Sequence, residues 1–271
     1  MNLRVTLFLA ILVLLLINSQ LHVINSPNNT KVSVIPTPRP AINQEKDLAT
    51  IVSEWSPYVV LVTCWWRDIT PSNNIYYQRG SSIIRYNEEV KKIDILTNRH
   101  VLSRNFDHPD ECLFSTDPNN NYATKTMDFY PAANNIDAEV VAFSKNTTLK
   151  EPVKSYDEKN YTYFENLAKS SPLINPKKFC SDVKIGDKIV ILGYPYTGGD
   201  FGTNITATEG IISSFDGNFY VTSAKIEQGN SGGVAISTKD NCYLGIPSNV
   251  ATGHFESLGR ILRWEAISFK R

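Results

Sequence analysis

Two short motifs in this sequence carry side chains that could act together in hydrolysis. The segment 229–233 (GNSGG) frames Ser231 with glycines, after one β-prone run and directly before another. Glycine permits tight turns and leaves backbone N–H groups uncovered, so a nucleophilic hydroxyl and an oxyanion-binding site can lie side by side. His100 closes a predicted strand in the segment 97–101 (TNRHV) and precedes the serine in the chain. This order predicts a serine nucleophile served by a histidine base.

The composition indicates a globular protein with balanced charge. The 271 residues include 27 basic and 27 acidic side chains, and 42% are hydrophobic, so one domain or two coupled halves can bury a core. Neutral charge argues against nucleic acid or an anionic membrane surface as a partner. No C-x-x-C pair occurs, so we expect no metal site and no cofactor. The four cysteines lie far apart in the sequence, at Cys64, Cys112, Cys180 and Cys242. They could be four buried thiols, or they could form one or two disulfides, in any of three full pairings.

The N-terminal residues 1–24 have the pattern of an export signal. Arg4 precedes an uncharged, mainly apolar run from Val5 to Ile17, which has the length of a signal-peptide core rather than of a full membrane span. The segment 18–20 (NSQ) is a poor cleavage site, so a retained membrane anchor and secretion are both open. Residues 25–46, rich in Asn, Ser, Thr and Pro, predict a flexible tether. The remainder, 47–271, is expected to be an exported domain.

Short strands separated by turn residues dominate that domain. Six strands are predicted between about residues 55 and 145, one of them an alternating run from Ala123 to Tyr130, and five more between about 183 and 255. The pattern predicts an all-β protein of two antiparallel barrels joined by a connector over 146–182. Short helices are expected over 45–53 and over 256–268, the latter because Leu258, Ile261 and Leu262 recur at helical spacing.

The motifs taken together resemble those of a known family. The segment TNRHV is similar to the histidine motif of trypsin-like serine proteases in the high-temperature-requirement (Deg-like) and glutamyl-endopeptidase branches. Residues 183–187 (VKIGD), 192–195 (LGYP), 208–213 (TEGIIS) and GNSGG continue the resemblance in the same order, over about residues 55–250. It implies two closed, six-stranded Greek-key barrels of the chymotrypsin type, with the site in the crevice between them. Only 40 residues follow Ser231, too few for the PDZ domain of Deg-like proteases.

The resemblance also implies an activity and residue roles. It implies a serine endopeptidase that acts on protein or peptide substrates through an acyl-enzyme. Ser231 would be the nucleophile and His100 the base, and the backbone N–H groups of Gly229 and Ser231 would form the oxyanion hole. Lys225 stands where the family has the base of the pocket for the side chain preceding the cleaved bond. Lys225 either faces this pocket, which would favour an acidic substrate side chain, or points outward.

The third member of the triad has two candidate positions. Asp137 opens the segment 137–143 (DAEVVAF), the family's pattern of an aspartate before a strand, although the family usually has a small residue where Glu139 stands. In another register residues 161–164 form the sixth strand, which puts Asn160 at the acid position with Asp157 just upstream. The capping box at 155–158 (SYDE) instead predicts a helix over about 156–169, which favours Asp137.

Three other functions compete with the protease hypothesis. The GxSxG pattern also fits the nucleophile elbow of α/β-hydrolases, but that elbow needs a helix after the serine, and a strand is predicted here. A catalytically inactive barrel that binds peptides or partners would keep the motifs and lose one catalytic position. A structural envelope protein would leave both motifs unexplained.

Overall fold

The computed structural model describes residues 46–67, 74–104, 107–117, 120–133, 136–145, 153–196, 204–252 and 257–269. They all belong to the second of two compact units, Met1–Asn43 and Gln44–Arg271. The predicted signal or anchor over 1–24, and the tether apart from Lys46, lie outside the described residues. Within the described ranges, no helix is both long enough and apolar enough to cross a membrane.

The N-terminal half is an antiparallel sheet of order β5-β4-β1-β2-β3-β7-β6. Its strands are β1 Val59–Arg67, β2 Ile75–Asn87, β3 Lys92–Thr97, β4 Glu111–Asp117, β5 Asn120–Thr124, β6 Asp128–Pro131 and β7 Glu139–Phe143. The predicted mostly-β fold is confirmed, with one closed six-stranded barrel and this second sheet. The sheet has seven strands rather than six, because the single strand expected from Ala123 to Tyr130 is divided between β5 and β6. Thr124 Oγ1 accepts the Thr126 backbone N–H at 3.1 Å, and this side-chain turn ends β5.

The C-terminal half is a closed six-stranded barrel with the order β8-β9-β10-β13-β12-β11. Its strands are β8 Lys188–Gly193, β9 Thr206–Asp216, β10 Phe219–Thr222, β11 Val234–Ser237, β12 Cys242–Thr252 and β13 Ser257–Arg263. The predicted C-terminal helix is wrong: its first part is β13, which pairs with both β10 and β12, and only Trp264–Ala266 forms a 3₁₀ turn. Strand pairing satisfies two sheet edges that a helix would leave open.

Helices and short turns connect and brace these halves. They are α1 Leu48–Trp55, α2 Arg99–Leu102 and α3 Val153–Ser170, with 3₁₀ turns at Ser56–Tyr58, Pro172–Ile174 and Pro176–Lys178. Helix α3 confirms the helix predicted over about 156–169. Trp55 of α1 is fully buried, and its indole N–H donates to Asn241 of the barrel at 2.8 Å. Helix α1 therefore ties the start of the domain to its second half.

One hydrophobic cluster spans both halves. It contains Leu61 and Leu96 from the sheet together with Leu192 and Val234 from the barrel. Burial of such side chains contributes roughly 1.5–3 kcal/mol each. This cluster holds the end of β3 against the segment between β10 and β11, so the predicted site residues are brought to one crevice.

Two disulfides add covalent links, one in the N-terminal sheet and one between the connector and the C-terminal barrel. Cys64 pairs with Cys112 across β1 and β4, and Cys180 of the connector pairs with Cys242 at the start of β12. This is one of the three full pairings that the sequence left open. The second bridge fastens the connector to the barrel that carries Ser231.

Candidate active site

The pairing of β3 with β7 brings His100 and Asp137 together. Thr97 at the end of β3 lies opposite Glu139 at the start of β7, so the residues just beyond each strand meet at the same edge of the sheet. His100 Nδ1 lies 2.7 Å from Asp137 Oδ2, and the backbone N–H of His100 donates to Asp137 Oδ1 at 3.0 Å. Both carboxylate oxygens therefore contact the same histidine, which fixes the orientation of its ring.

Two further hydrogen bonds hold the aspartate. Asn98 donates its side-chain amide to the backbone carbonyl of Asp137 at 2.7 Å, and Ser248 in β12 donates its hydroxyl to Oδ2 at 3.0 Å. Burial alone would raise the pKa of Asp137, but the hydrogen bonds and the charge of His100, together with Ser248, outweigh it and lower the pKa. Asp137 is therefore ionised at neutral pH.

Ser231 lies in the turn between β10 and β11, across the crevice from the sheet. Gly229 and Gly232 on either side of it have φ angles of 97° and 88°, a left-handed region that other residues resist. The Ser231 hydroxyl donates to the backbone carbonyl of Ser248 at 2.8 Å. A hydroxyl has one proton, so in this conformation Ser231 does not donate to His100.

The N–H groups proposed for the oxyanion hole are unused in the described part of the chain. Neither Gly229 nor Ser231 donates its backbone N–H in any hydrogen bond among those residues. The carbonyl of Gln228 accepts the N–H of Tyr196 at 2.6 Å, which fixes the peptide bond that carries the Gly229 N–H. A side chain at Gly229 would begin 2.5 Å from the carbonyl oxygen of Tyr194, so this position requires glycine.

A cleft of about 330 Å³ connects these groups. His100, Gly229 and Ser231 border it, and its other walls come from the near end of β2 and from the end of β8. The remaining lining residues are Leu61, Tyr77, Gln78, Arg79, Tyr194, Pro195, Tyr196 and Gln228. In the described ranges no group of three or more His, Cys, Asp or Glu side chains could hold a metal ion.

Comparison with known proteins decides the family. The family model of the trypsin-like peptidase domain matches residues 80–246, which is more than half of the chain and includes His100, Asp137 and Ser231. The chain belongs to the trypsin-like peptidase domain family. Among solved structures it is similar to the HtrA-type protease AlgW, determined with a decapeptide, at a TM-score of 0.54 and 18% identity. This match covers 81% of the chain and 65% of AlgW, and at that identity it supports the fold alone.

The structure also locates the other residues that the sequence singled out. Asp157 and Asn160 both lie within α3, as do residues 161–164, so the rival strand register of the peptidase domain is wrong. Lys225 is 75% exposed and pairs with Glu227 at 2.6 Å, so it does not line the cleft. The neighbouring Ile226 is instead buried, with its Cδ1 atom against Gly259.

Glu139, which departs from the family pattern, is fully buried at the start of β7. His108 Nε2 lies 2.8 Å from its Oε1 atom, and the His108 ring stacks on Phe129 with centroids 4.1 Å apart. Burial raises the pKa of Glu139, and the hydrogen bond and charge of His108 and the charge of Arg99 only partly offset it. The His108 ring is therefore both stacked and paired.

Sequence reasoning missed two serines that contact the site. Ser248 bonds both to the Asp137 carboxylate and to the Ser231 hydroxyl, and it lies two residues beyond the stretch that the family model matches. Ser81 in β2 bonds to the segment around Ser231. Ser81 is the first of two adjacent serines and Ser248 stands alone, both within an ordinary strand pattern, so no local signal marked either of them.

Proposed function

We propose that this protein is a serine endopeptidase that hydrolyses peptide bonds through a covalent acyl-enzyme. The observation that carries the proposal is the double contact of Asp137 with His100, at the edge of a cleft that Ser231 also borders. Such a pair orients a histidine base toward a neighbouring hydroxyl, which is the arrangement needed for nucleophilic catalysis. Membership of the trypsin-like peptidase family supports the same reaction class.

The contacts of His100 define its role. With Nδ1–H donated to Asp137, the Nε2 atom carries the lone pair and can accept a proton. Ser231 turns its hydroxyl from the Ser248 carbonyl to Nε2, a change between staggered side-chain rotamers. Its Oγ atom then attacks the substrate carbonyl carbon while its proton passes to Nε2, and that proton leaves with the departing amine.

Hydrolysis of the acyl-enzyme repeats these steps with water as the nucleophile. Water attacks the ester carbonyl and gives one proton to Nε2 of His100, and that proton returns to the Oγ atom of Ser231. In both steps the negative oxygen would accept hydrogen bonds from the N–H groups of Gly229 and Ser231. Losing one such donor typically costs about 10²–10³ in rate.

The proposed site of action is outside the cytoplasm. The apolar run from Val5 to Ile17 supports export, and the two disulfides are typical of proteins that fold in an oxidising compartment. The substrate would be an exported protein or peptide, and a retained segment 1–24 would keep the enzyme at a membrane. An alkylating probe should label no cysteine of the protein as purified from its host. After reduction, the same probe should label the cysteines of both disulfides.

Labelling with a fluorophosphonate probe tests the proposal. The full chain is compared with its Ser231→Ala variant, and we expect a labelled parent and an unlabelled variant of the same thermal stability. The substitution removes only the hydroxyl group of Ser231, so loss of labelling assigns this group as the nucleophile. A folded parent that reacts with neither the probe nor peptide libraries would support the inactive, peptide-binding alternative instead.

A further inference from the structure

Ser81 lies at the centre of four short hydrogen bonds beneath the segment 228–233, here called the oxyanion loop. Its side chain is fully buried in β2. The Ser81 hydroxyl donates to the carbonyl of Gly229 at 2.6 Å and accepts the backbone N–H of Tyr194 at 2.7 Å. Its backbone N–H donates to the carbonyl of Ser231 at 2.8 Å, and its carbonyl accepts the Thr97 hydroxyl at 2.6 Å.

These bonds matter because the oxyanion loop is flexible by composition. Two of its glycines have positive φ, and glycine loses more conformational freedom on ordering than any other residue. Asn230 between them is buried, yet its Oδ1 atom has no hydrogen-bond partner among the described residues. The side chain of Asn230 therefore does not anchor the loop through that oxygen.

The contacts of Ser81 supply an anchor on both sides of Asn230. One carbonyl that it binds belongs to the peptide unit between Gly229 and Asn230, and the other to the peptide unit after Ser231. The two bonds therefore lie on either side of Asn230 and the proposed nucleophile. Its hydroxyl also connects the loop to Tyr194, and two residues on, Tyr196 N–H binds the Gln228 carbonyl. The loop has further bonds of its own, from Asn230 N–H to Glu227 and from Gly232 N–H to Pro247. Ser81 joins the loop to both the end of β8 and the end of β3.

We propose that Ser81 is a positioning residue that holds the oxyanion loop in its reactive conformation. The inference rests on the proposed function and adds a role for a side chain that does not touch substrate. The Ser81 hydroxyl holds the peptide unit between Gly229 and Asn230, which connects the N–H groups of Gly229 and Ser231. A loop without that hydroxyl would still form the cleft and keep the bond from the Ser81 N–H to the Ser231 carbonyl, but its two N–H donors would no longer point reliably at one place. Because such donors act on the negative oxygen of the transition state, the effect should fall on kcat rather than on KM.

The test compares Ser81→Ala with Ser82→Ala in the full chain. Ser82 is a matched control, since it is equally buried and its hydroxyl donates to the Val60 carbonyl at 2.8 Å, away from the loop. We expect Ser81→Ala to lower kcat about 10–100-fold with KM changed less than about threefold. Its affinity for a peptide boronate, which mimics the tetrahedral intermediate, should fall by a similar factor. Ser82→Ala should lose similar thermal stability while kcat stays within about threefold of the parent.

A Ser81→Cys variant covers the case in which Ser81→Ala does not fold. The thiol keeps only a weak donor at the same position, so its kcat should fall below that of the parent by about 3–100-fold, with KM changed less than about threefold. Equal kcat losses in the Ser81 and Ser82 variants would overturn the inference, as would a Ser81→Cys variant with the kcat of the parent. A parent without hydrolytic activity would instead overturn the proposed function, on which this inference depends.

Discussion

Replacing Asp137 by asparagine is expected to trap His100 in the wrong tautomer. In the structure Asp137 Oδ1 accepts the backbone N–H of His100, so the carbonyl oxygen of an asparagine must take that place. The asparagine NH₂ group then occupies the position of Oδ2 and faces Nδ1 of the ring. Because that amide can only donate, Nδ1 must accept and the ring proton moves to Nε2, where it blocks transfer from Ser231.

The expected loss of activity is large. The same tautomer error lowers kcat about 10⁴-fold in chymotrypsin-like proteases, which corresponds to about 5.4 kcal/mol of transition-state stabilisation. The fold should survive, because Oδ1 keeps its bond to His100. The lowered pKa of Asp137 means that its charge stabilises the folded state above the ordinary aspartate range, and this contribution is lost as the pH falls through the folded-state pKa. The variant should therefore be somewhat less stable at pH 7 and equal to the parent in strong acid.

The assay is kcat/KM for a peptide substrate at a temperature where both proteins are folded. Asp157→Asn is the control, because Asp157 is the other acid considered from the sequence and lies in α3. We expect a loss of about 10⁴-fold for Asp137→Asn and a change within about twofold for Asp157→Asn. An Asp137→Asn variant within tenfold of the parent would refute the tautomer argument, and a large loss in Asp157→Asn would move the acid to α3.

Two further predictions follow from buried side chains near the site. Glu139→Gln should raise the melting temperature at pH 7 and leave it unchanged near pH 4. The reason is that the raised pKa of Glu139 costs the folded state stability as the pH rises from the ordinary glutamate range through the folded-state value. A glutamine side chain can still accept the hydrogen bond from His108. Calorimetry across this range checks it, and a variant destabilised at every pH would contradict it. Ile226→Ala should destabilise the domain by about 2–5 kcal/mol, since Ile226 is buried in the core of the C-terminal barrel. Thermal unfolding checks this loss, and the exposed Lys225, replaced by alanine, should leave the melting temperature unchanged.

The sequence was sufficient where the signal is local. The glycines around Ser231 predict a tight turn because few other residues adopt positive φ, and two of them do so in the structure. The capping box at 155–158 predicted a helix, and α3 removes the alternative acid positions from the sheet. Family motifs in a consistent order predicted the trypsin-like fold, which the family match confirms.

Helical spacing misled where pairing decided the structure. Leu258, Ile261 and Leu262 recur as on a helix, yet they lie in β13, where Ile261 and Leu262 are both buried. Ile261 packs in the barrel core and Leu262 in the cluster between the halves, so both faces of this strand are apolar. A short apolar run of that kind has no period of its own, and the open edges of β10 and β12 determined its conformation.

The sequence by itself determined the order of the motifs, the glycine turn and the chemical types of His100, Asp137 and Ser231. Only the tertiary structure decided which groups surround them. Ser81 and Ser248 reach the site from strands that are distant in the chain, and a serine in a strand carries no sign of its hydrogen-bond partner. The physical reason is that a turn is specified by the backbone preferences of adjacent residues. Contacts across two packed halves are instead specified by the register of strands, which is set by burial of the whole core.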